Sequence, residues 1–154
     1  MNKRKILKKI GLILLLIFIV IQFIPTNRNL STQVLKDDFI TTFNPPKNIA
    51  TKLKISCYDC HSNNTYYPWY NKIQPIAWFL ENHINEAKKE LNFSEFGNYS
   101  NRRQKSKLKS IISQIKDNEM PLKSYTIMHK DAIITDKRKK QIIIWIENLK
   151  HTIK

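Results

Sequence analysis

Five consecutive residues, Cys57-Tyr58-Asp59-Cys60-His61, carry the clearest chemical pattern in the chain. Two thiols separated by two residues can form thioethers with the vinyl groups on one edge of a porphyrin. The histidine that follows can then place an imidazole nitrogen under the iron. This C-x-x-C-H spacing is typical of covalent haem attachment. It predicts one covalent haem c, bound through Cys57 and Cys60, with His61 as the proximal iron ligand.

Three other chemistries fit the same residues less well. A thioredoxin-like redox pair lies in a βαβ unit, and no stretch of this chain alternates convincingly at period two. A structural zinc ion takes four ligands, and no second Cys/His pair occurs at zinc-finger spacing. The motif holds both of the 2 cysteines, so a disulfide could only join these two, and its loop would be too short to stabilise much. We therefore favour haem.

The second axial ligand of an electron-transfer haem is usually a methionine or a histidine. Met120 follows a predicted helix, in a loop that Pro121 stiffens, and is the expected distal ligand. A methionine there could instead fill a gap in the core. His129 is the alternative distal ligand. Met128 and His83 are weaker candidates, because a histidine beside an apolar helix stripe is more often a packing residue.

An aromatic loop follows the motif, with Tyr66, Tyr67, Trp69 and Tyr70 close together. Most of these rings are expected to pack in the core. Trp69 is the one expected to form part of a wall against the porphyrin, where its indole N–H could bind a propionate.

The first 25 residues have the pattern of a membrane anchor. A basic cluster precedes an apolar run from Ile10 to Ile24, which Pro25 ends, and no small-residue cleavage site follows. We expect an uncleaved transmembrane helix rather than a signal peptide. The positive-inside rule then predicts a single-pass protein of the cytoplasmic membrane, with a cytoplasmic N-terminus and a periplasmic haem domain. The predicted organisation is an anchor at 1–25, a tether at 26–45 and a haem-binding domain at 46–154.

The rest of the chain has apolar residues at helical spacing. Helices are predicted from Pro46 into Cys57, from Pro75 to Leu91, from Ser100 to Asn118 and from Thr135 towards the end. Ser100 and Thr135 are expected to cap the helices that they precede. The chain has only 2 glycines, which argues against tight-turned β architectures. The predicted fold class is all-α.

The chain is strongly basic, with 27 Lys and Arg against 12 Asp and Glu and a net charge of +15. Dense basic runs lie at 102–109 and 137–140. Most such runs are solvated helix faces, but they could also dock an acidic redox partner or anionic lipid headgroups. Nucleic acid is not an expected partner beyond the membrane, and no small-molecule substrate is expected.

The chain resembles the bacterial haem-binding-domain family, small membrane-anchored proteins similar to monohaem cytochromes c. The resemblance rests on residues 56–63, 68–70, 91–95, 119–121 and 125–129, together with the anchor. It implies a cytochrome c-like helical fold and covalent haem c at Cys57 and Cys60, with His61 proximal. Leu122 and Lys130 stand where the family often has proline, a change that removes no ligand.

Electron transfer is the predicted function, because His/Met ligation would close both axial positions of the iron. Two alternatives stay open at this point. One is a peroxidase-like haem enzyme, and the other is a haem-dependent sensor or accessory protein; both would keep the sixth position free. No distal His/Arg pair stands out for the enzyme, so the chain is not expected to be one.

Overall fold

The structure is a computed structural model that describes residues 3–31 and 33–153. Within these ranges the chain is helical and contains no strand, as the sequence predicts. The α-helices are α1 (Lys3–Ile21), α2 (Phe39–Phe43), α3 (Lys47–Leu53), α4 (Asp59–His61), α5 (Ile76–Glu90), α6 (Asn101–Lys116), α7 (Lys123–Met128) and α8 (Asp136–Thr152). Shorter 3₁₀ turns lie at Trp69–Lys72, Phe93–Asn98 and Lys130–Ala132. The four predicted helices correspond to α3, α5, α6 and α8.

Side-chain caps explain where the long helices begin. Ser100 Oγ accepts a hydrogen bond from the backbone N–H of Arg103 (3.4 Å), and Thr135 Oγ1 accepts one from Arg138 (3.4 Å). Each cap satisfies a donor that the first helical turn leaves free. Both predicted caps are confirmed.

The core forms where α6 and α8 pack together and the apolar faces of α2, α3 and the 93–98 turn cover them. Phe39 of α2 lies at its centre, fully buried, with its ring centroid 5.2 Å from Phe93, 4.9 Å from Phe96 and 5.9 Å from Trp145. Rings at these separations pack edge to face and bury large apolar areas. The segment predicted as a tether therefore also supplies a central core residue.

A close backbone approach holds α2 in place. The N–H of Gly97 donates to the carbonyl of Asp37 (2.8 Å), and a Cβ at position 97 would lie 3.0 Å from the Asp37 backbone. Only glycine allows this approach without a shift. Asp38 Oδ1 then caps α2 by accepting from the N–H of Ile40 (2.9 Å).

None of the helices described is both long and apolar enough to cross a membrane. The predicted N-terminal transmembrane helix is therefore wrong, and so is the single-pass location in the cytoplasmic membrane that was built on it. The helix α1 includes the basic cluster and ends at Ile21. Its charge-free part, from Ile10 to Ile21, is about 18 Å long at about 1.5 Å per residue, against roughly 30 Å of bilayer hydrocarbon.

Beyond Ile21 the chain is bound to the domain. Gln22 and Gln74 exchange hydrogen bonds: Gln22 Nε2 donates to the Gln74 carbonyl (3.1 Å), and the Gln74 N–H donates to Gln22 Oε1 (2.9 Å). The predicted boundaries between 25 and 26 and between 45 and 46 stay predictions. Residues 1, 2, 32 and 154, which belong to the predicted anchor, tether and domain, lie outside the described residues.

Candidate functional site

The motif lies on a continuous run of helical backbone. The helix α3 widens into a π-helical turn at Lys54–Tyr58 and passes directly into α4. Residues three and four apart on such a backbone share a face, so the spacing of Cys57, Cys60 and His61 groups their side chains. π-helical turns are uncommon and occur frequently at functional sites.

Tyr58, between the cysteines, fixes the motif to the core. Its ring stacks on Phe93, with centroids 5.0 Å apart and planes at 5°, and its hydroxyl donates to Asp38 Oδ1 (3.2 Å). Burial raises the pKa of the Tyr58 hydroxyl well above its usual range, so this group stays a hydrogen-bond donor.

Asp59 fixes the other side of the motif. Its Oδ2 accepts a hydrogen bond from the Tyr125 hydroxyl (2.7 Å), and its Oδ1 accepts one from the backbone N–H of Tyr66 (3.2 Å). Ser56, just before the motif, donates from Oγ to the Ala132 carbonyl (2.7 Å). These bonds leave the two cysteines and His61 as the side chains of the motif that remain for chemistry.

The ring of His61 is held in one tautomer. Its Nδ1 lies 3.0 Å from the carbonyl oxygens of both Ala87 and Leu91, near the end of α5. Carbonyls only accept, so Nδ1 carries the hydrogen and the lone pair is on Nε2. The pKa of the His61 imidazole is lowered mainly by burial. The charge of Lys107 lowers this pKa further, while the two hydrogen bonds to the carbonyls raise it. A neutral imidazole oriented by its other nitrogen is the form that ligates metals.

Both cysteines are free thiols. Burial raises the pKa of Cys57 to about 12, with the neighbouring Cys60 adding to the effect. Burial and the charge of Asp59 raise the pKa of Cys60 to about 11. A redox-active C-x-x-C pair needs a lowered thiol pKa, so this environment argues against thioredoxin-like chemistry.

A zinc site gains no support either. Over residues 3–31 and 33–153, no group of three or more His, Cys, Asp or Glu side chains is arranged to hold a metal ion.

Two neighbouring cavities, of about 350 and 390 Å³, open beside the motif. Cys57, His61 and Met120 line both, and Cys60 lines the second. The first continues between the end of α5 and one face of α6, and the second continues along α5 towards Tyr125. Each volume is near the lower end of the roughly 300–1,000 Å³ range of small-molecule sites. Both cavities are also lined by Ser56 and Glu90. The remaining lining residues of the first cavity are Leu91, Phe93, Lys107, Ser110, Ile111, Gln114 and Ile115. Those of the second cavity are Asn82, His83, Glu86, Ala87, Pro121, Leu122 and Tyr125.

Met120 reaches the cavities from the loop that follows α6. The backbone N–H groups of Glu119 (3.0 Å) and Met120 (3.2 Å) both donate to the Gln114 carbonyl, which folds the loop back onto the helix end. The structure thus brings the predicted distal residue Met120 to the same cavities as the predicted proximal residue His61.

The other predicted residues lie in different places. His129 stacks on Tyr125, with ring centroids 4.3 Å apart, and its Nε2 lies 3.1 Å from the Tyr70 hydroxyl; it is not among the residues lining either cavity. Trp69 is 68% exposed and is not a lining residue either. The structure therefore does not bring Trp69 to the site as a wall.

His83 lines the second cavity, and its Nδ1 is buried without a hydrogen-bond partner. The exposed Met128 lines neither cavity. Of the distal candidates weighed from the sequence, Met120 and His83 are therefore the two that reach the site.

Sequence reasoning missed the wall that α6 forms. Lys107 belongs to the basic run at 102–109, which was weighed as a solvated helix face, yet it lines the first cavity with Ile111 and Gln114. The available signal was a lysine four residues before Ile111, on the apolar stripe of its helix.

It also missed Asn29, whose Nδ2 donates to the Ser62 carbonyl (2.8 Å) and to Thr65 Oγ1 (2.9 Å). Asn29 lies in the segment predicted as a tether, and no local pattern marks it.

The fold and site are those of a small helical cofactor-binding protein. A family model described as a haem-binding domain matches residues 16–148, most of the chain. The chain therefore belongs to the haem-binding-domain family, which confirms the resemblance, and haem is its cofactor. No curated protein and no solved structure matches the chain with significant similarity, so the cytochrome c-like form of the helical fold stays a prediction.

Proposed function

We propose that this protein carries one haem c, bound to Cys57 and Cys60 by thioethers and ligated by His61, and that it transfers electrons. One observation carries the proposal: Nδ1 of His61 is bound to two carbonyls, which leaves Nε2 for a metal beside two free thiols. A bound haem supplies an iron that alternates between its ferric and ferrous states.

The residues fit the chemistry of attachment. Each thiol adds across one vinyl group: the sulfur bonds to one carbon and the thiol hydrogen goes to the other. The addition needs no oxidant and has no leaving group. Cys57 and Cys60 are both free, so each has the S–H group that this addition would use.

Electron transfer, rather than catalysis, is supported by what surrounds the cavities. Met120 lines both cavities together with His61, and its thioether can close the second axial position. Leu91, Phe93 and Ile111 give the first cavity an apolar wall. An apolar wall excludes water and tunes the reduction potential.

We further propose an acidic protein as redox partner. Arg102, Lys105 and Lys109 line a surface groove of about 500 Å³ on α6. The same helix supplies a wall of the first haem cavity. A positive groove on the helix that walls the first cavity would attract an acidic partner to this part of the protein.

The proposal is tested by producing the full chain together with a haem c maturation system. Extraction with acid and acetone should leave the haem on the polypeptide, and a pyridine haemochrome spectrum should give one haem per chain. The double variant Cys57→Ala/Cys60→Ala should release all of its haem in the same extraction. Release of haem from the unaltered chain would refute covalent attachment while leaving haem binding intact.

A second measurement separates a carrier from an enzyme. Closed axial positions predict a six-coordinate low-spin spectrum that carbon monoxide changes only slowly. A high-spin haem that binds carbon monoxide at once would favour the peroxidase-like or sensor alternatives.

A further inference from the structure

We propose that Lys107 binds a propionate of the haem, and that Glu90 is the counter-ion that Lys107 gives up when it does so. This inference rests on the proposed placement of the haem beside His61, and it does not depend on the thioether bonds. Lys107 would be a positioning residue for the cofactor and would act through its charge.

Helix geometry places Lys107 at the cavity. Lys107, Ser110, Ile111 and Gln114 follow the three- and four-residue spacing of one helical face, and all four line the first cavity. The Lys107 side chain is only 23% exposed, so most of the side chain is covered by neighbouring residues.

The charges around the cavities single out Lys107. Among the described residues that line either cavity, it is the one lysine and there is no arginine, whereas Glu86 and Glu90 contribute carboxylates. A haem brings two propionate groups, and a carboxylate that leaves water needs a cation or a hydrogen-bond donor. Lys107 is the side chain here with a permanent positive charge to offer.

The present partner of Lys107 can be exchanged. Glu90 Oε2 lies 3.4 Å from Lys107 Nζ, which is longer than the roughly 2.7–2.9 Å of a strong charge-assisted hydrogen bond. The Glu90 side chain is 82% exposed and can turn into water. Exposed ion pairs contribute little stability, so transferring the ammonium to a propionate costs little.

The first test compares two ligands in the full-length Cys57→Ala/Cys60→Ala background, where no thioether can form. Haem and its dimethyl ester, which lacks the propionate charges, are titrated into the protein and the dissociation constants are measured. Lys107→Gln should weaken haem binding about tenfold, the effect of one charge-assisted hydrogen bond, and should leave binding of the ester unchanged. Lys107→Arg should restore haem binding.

The matched control is Lys109→Gln, which removes the same charge from the same helix at a residue that lines neither haem cavity. It should change neither dissociation constant. An equal loss for both ligands in Lys107→Gln would assign the lysine to packing and overturn the proposal. If Lys109→Gln weakened haem binding as much as Lys107→Gln does, the effect would come from the net positive charge of the protein, and the proposal would also be overturned.

His61→Ala separates this inference from the proposed placement of the haem. If His61→Ala binds haem like the parent protein, the placement fails and the Lys107 proposal fails with it. If His61→Ala loses binding while Lys107→Gln does not, only the Lys107 proposal fails.

A second readout is the reduction potential of the matured protein. A positive charge near the iron favours the ferrous state, so Lys107→Gln should lower the potential and Glu90→Gln should raise it. An unchanged potential in Lys107→Gln would place this charge away from the haem and overturn the proposal.

Discussion

The two sides of the cavities beside the motif are built differently. On the His61 side, the motif is held by Tyr58 on the core, by Asp59 and by two carbonyls on one imidazole nitrogen. On the Met120 side, the backbone N–H groups of Glu119 and Met120 both donate to one carbonyl, that of Gln114. Hydrogen bonds therefore orient the side chain of the proposed proximal ligand, whereas those on the other side hold only the backbone of the proposed distal ligand.

The largest effect should come from the His61 side. His61→Ala should weaken haem binding to the thioether-free protein by about a hundredfold or more, because loss of even an orienting partner of a metal ligand costs about 10–100-fold. The measurement is a haem titration followed by absorbance. His151→Ala, at an exposed position near the end of α8, is the control and should bind like the parent. If His61→Ala bound haem as tightly as the parent protein, the proposed difference between the His61 side and the Met120 side would be contradicted.

Met120→Ala should leave the haem attached and change only its ligation. The spectrum of the matured protein should shift from low spin to high spin, or to a different low-spin form if His83 replaces the thioether. Met128→Ala, an exposed methionine outside both cavities, should leave the spectrum unchanged. An unaltered low-spin spectrum in Met120→Ala would exclude this thioether as the ligand.

The hydrogen bond from Tyr125 to Asp59 joins the two sides, and its loss should have a moderate effect on stability. Tyr125→Phe deletes the hydroxyl that donates to Asp59, so the free energy of unfolding of the apoprotein should fall by about 1–3 kcal/mol. Urea unfolding measures it. The control is Tyr66→Phe, at a side chain that is 82% exposed. Its free energy of unfolding should lie within about 0.5 kcal/mol of the parent value. Equal stability in the two variants would show that this bond does not couple the sides.

The smallest effect concerns pH. The pKa of His61 is lowered by burial below its ordinary value of 6.5, so on acidification the unfolded chain takes up its proton first. His61 should therefore make the apoprotein less stable as the pH falls from about 6.5 to the folded pKa, and its own effect should not grow below that pKa. Urea unfolding midpoints at about pH 7 and about pH 5.5 measure this loss. The loss should shrink in His61→Ala, and an unchanged loss would assign it to other groups.

The sequence predicts the parts of this molecule that depend on local patterns. The caps at Ser100 and Thr135 and the spacing of Cys57 to His61 are set within a few residues, so they can be recognised along the chain. The Tyr125–Asp59 bond joins residues 66 apart and the Lys107–Glu90 pair joins residues 17 apart, so neither can be recognised before the helices are packed. The transmembrane prediction failed for a related reason: apolar composition alone did not show that α1 ends at Ile21.

The central claim is tested most directly by the mass of the denatured polypeptide. The full chain, produced with a haem c maturation system and unfolded in acid, is measured by mass spectrometry beside the Cys57→Ala/Cys60→Ala variant. We predict the mass of the chain plus one haem for the parent, and the mass of the chain alone for the variant. A parent mass without haem, from protein that is red before it is unfolded, would contradict covalent attachment at this motif.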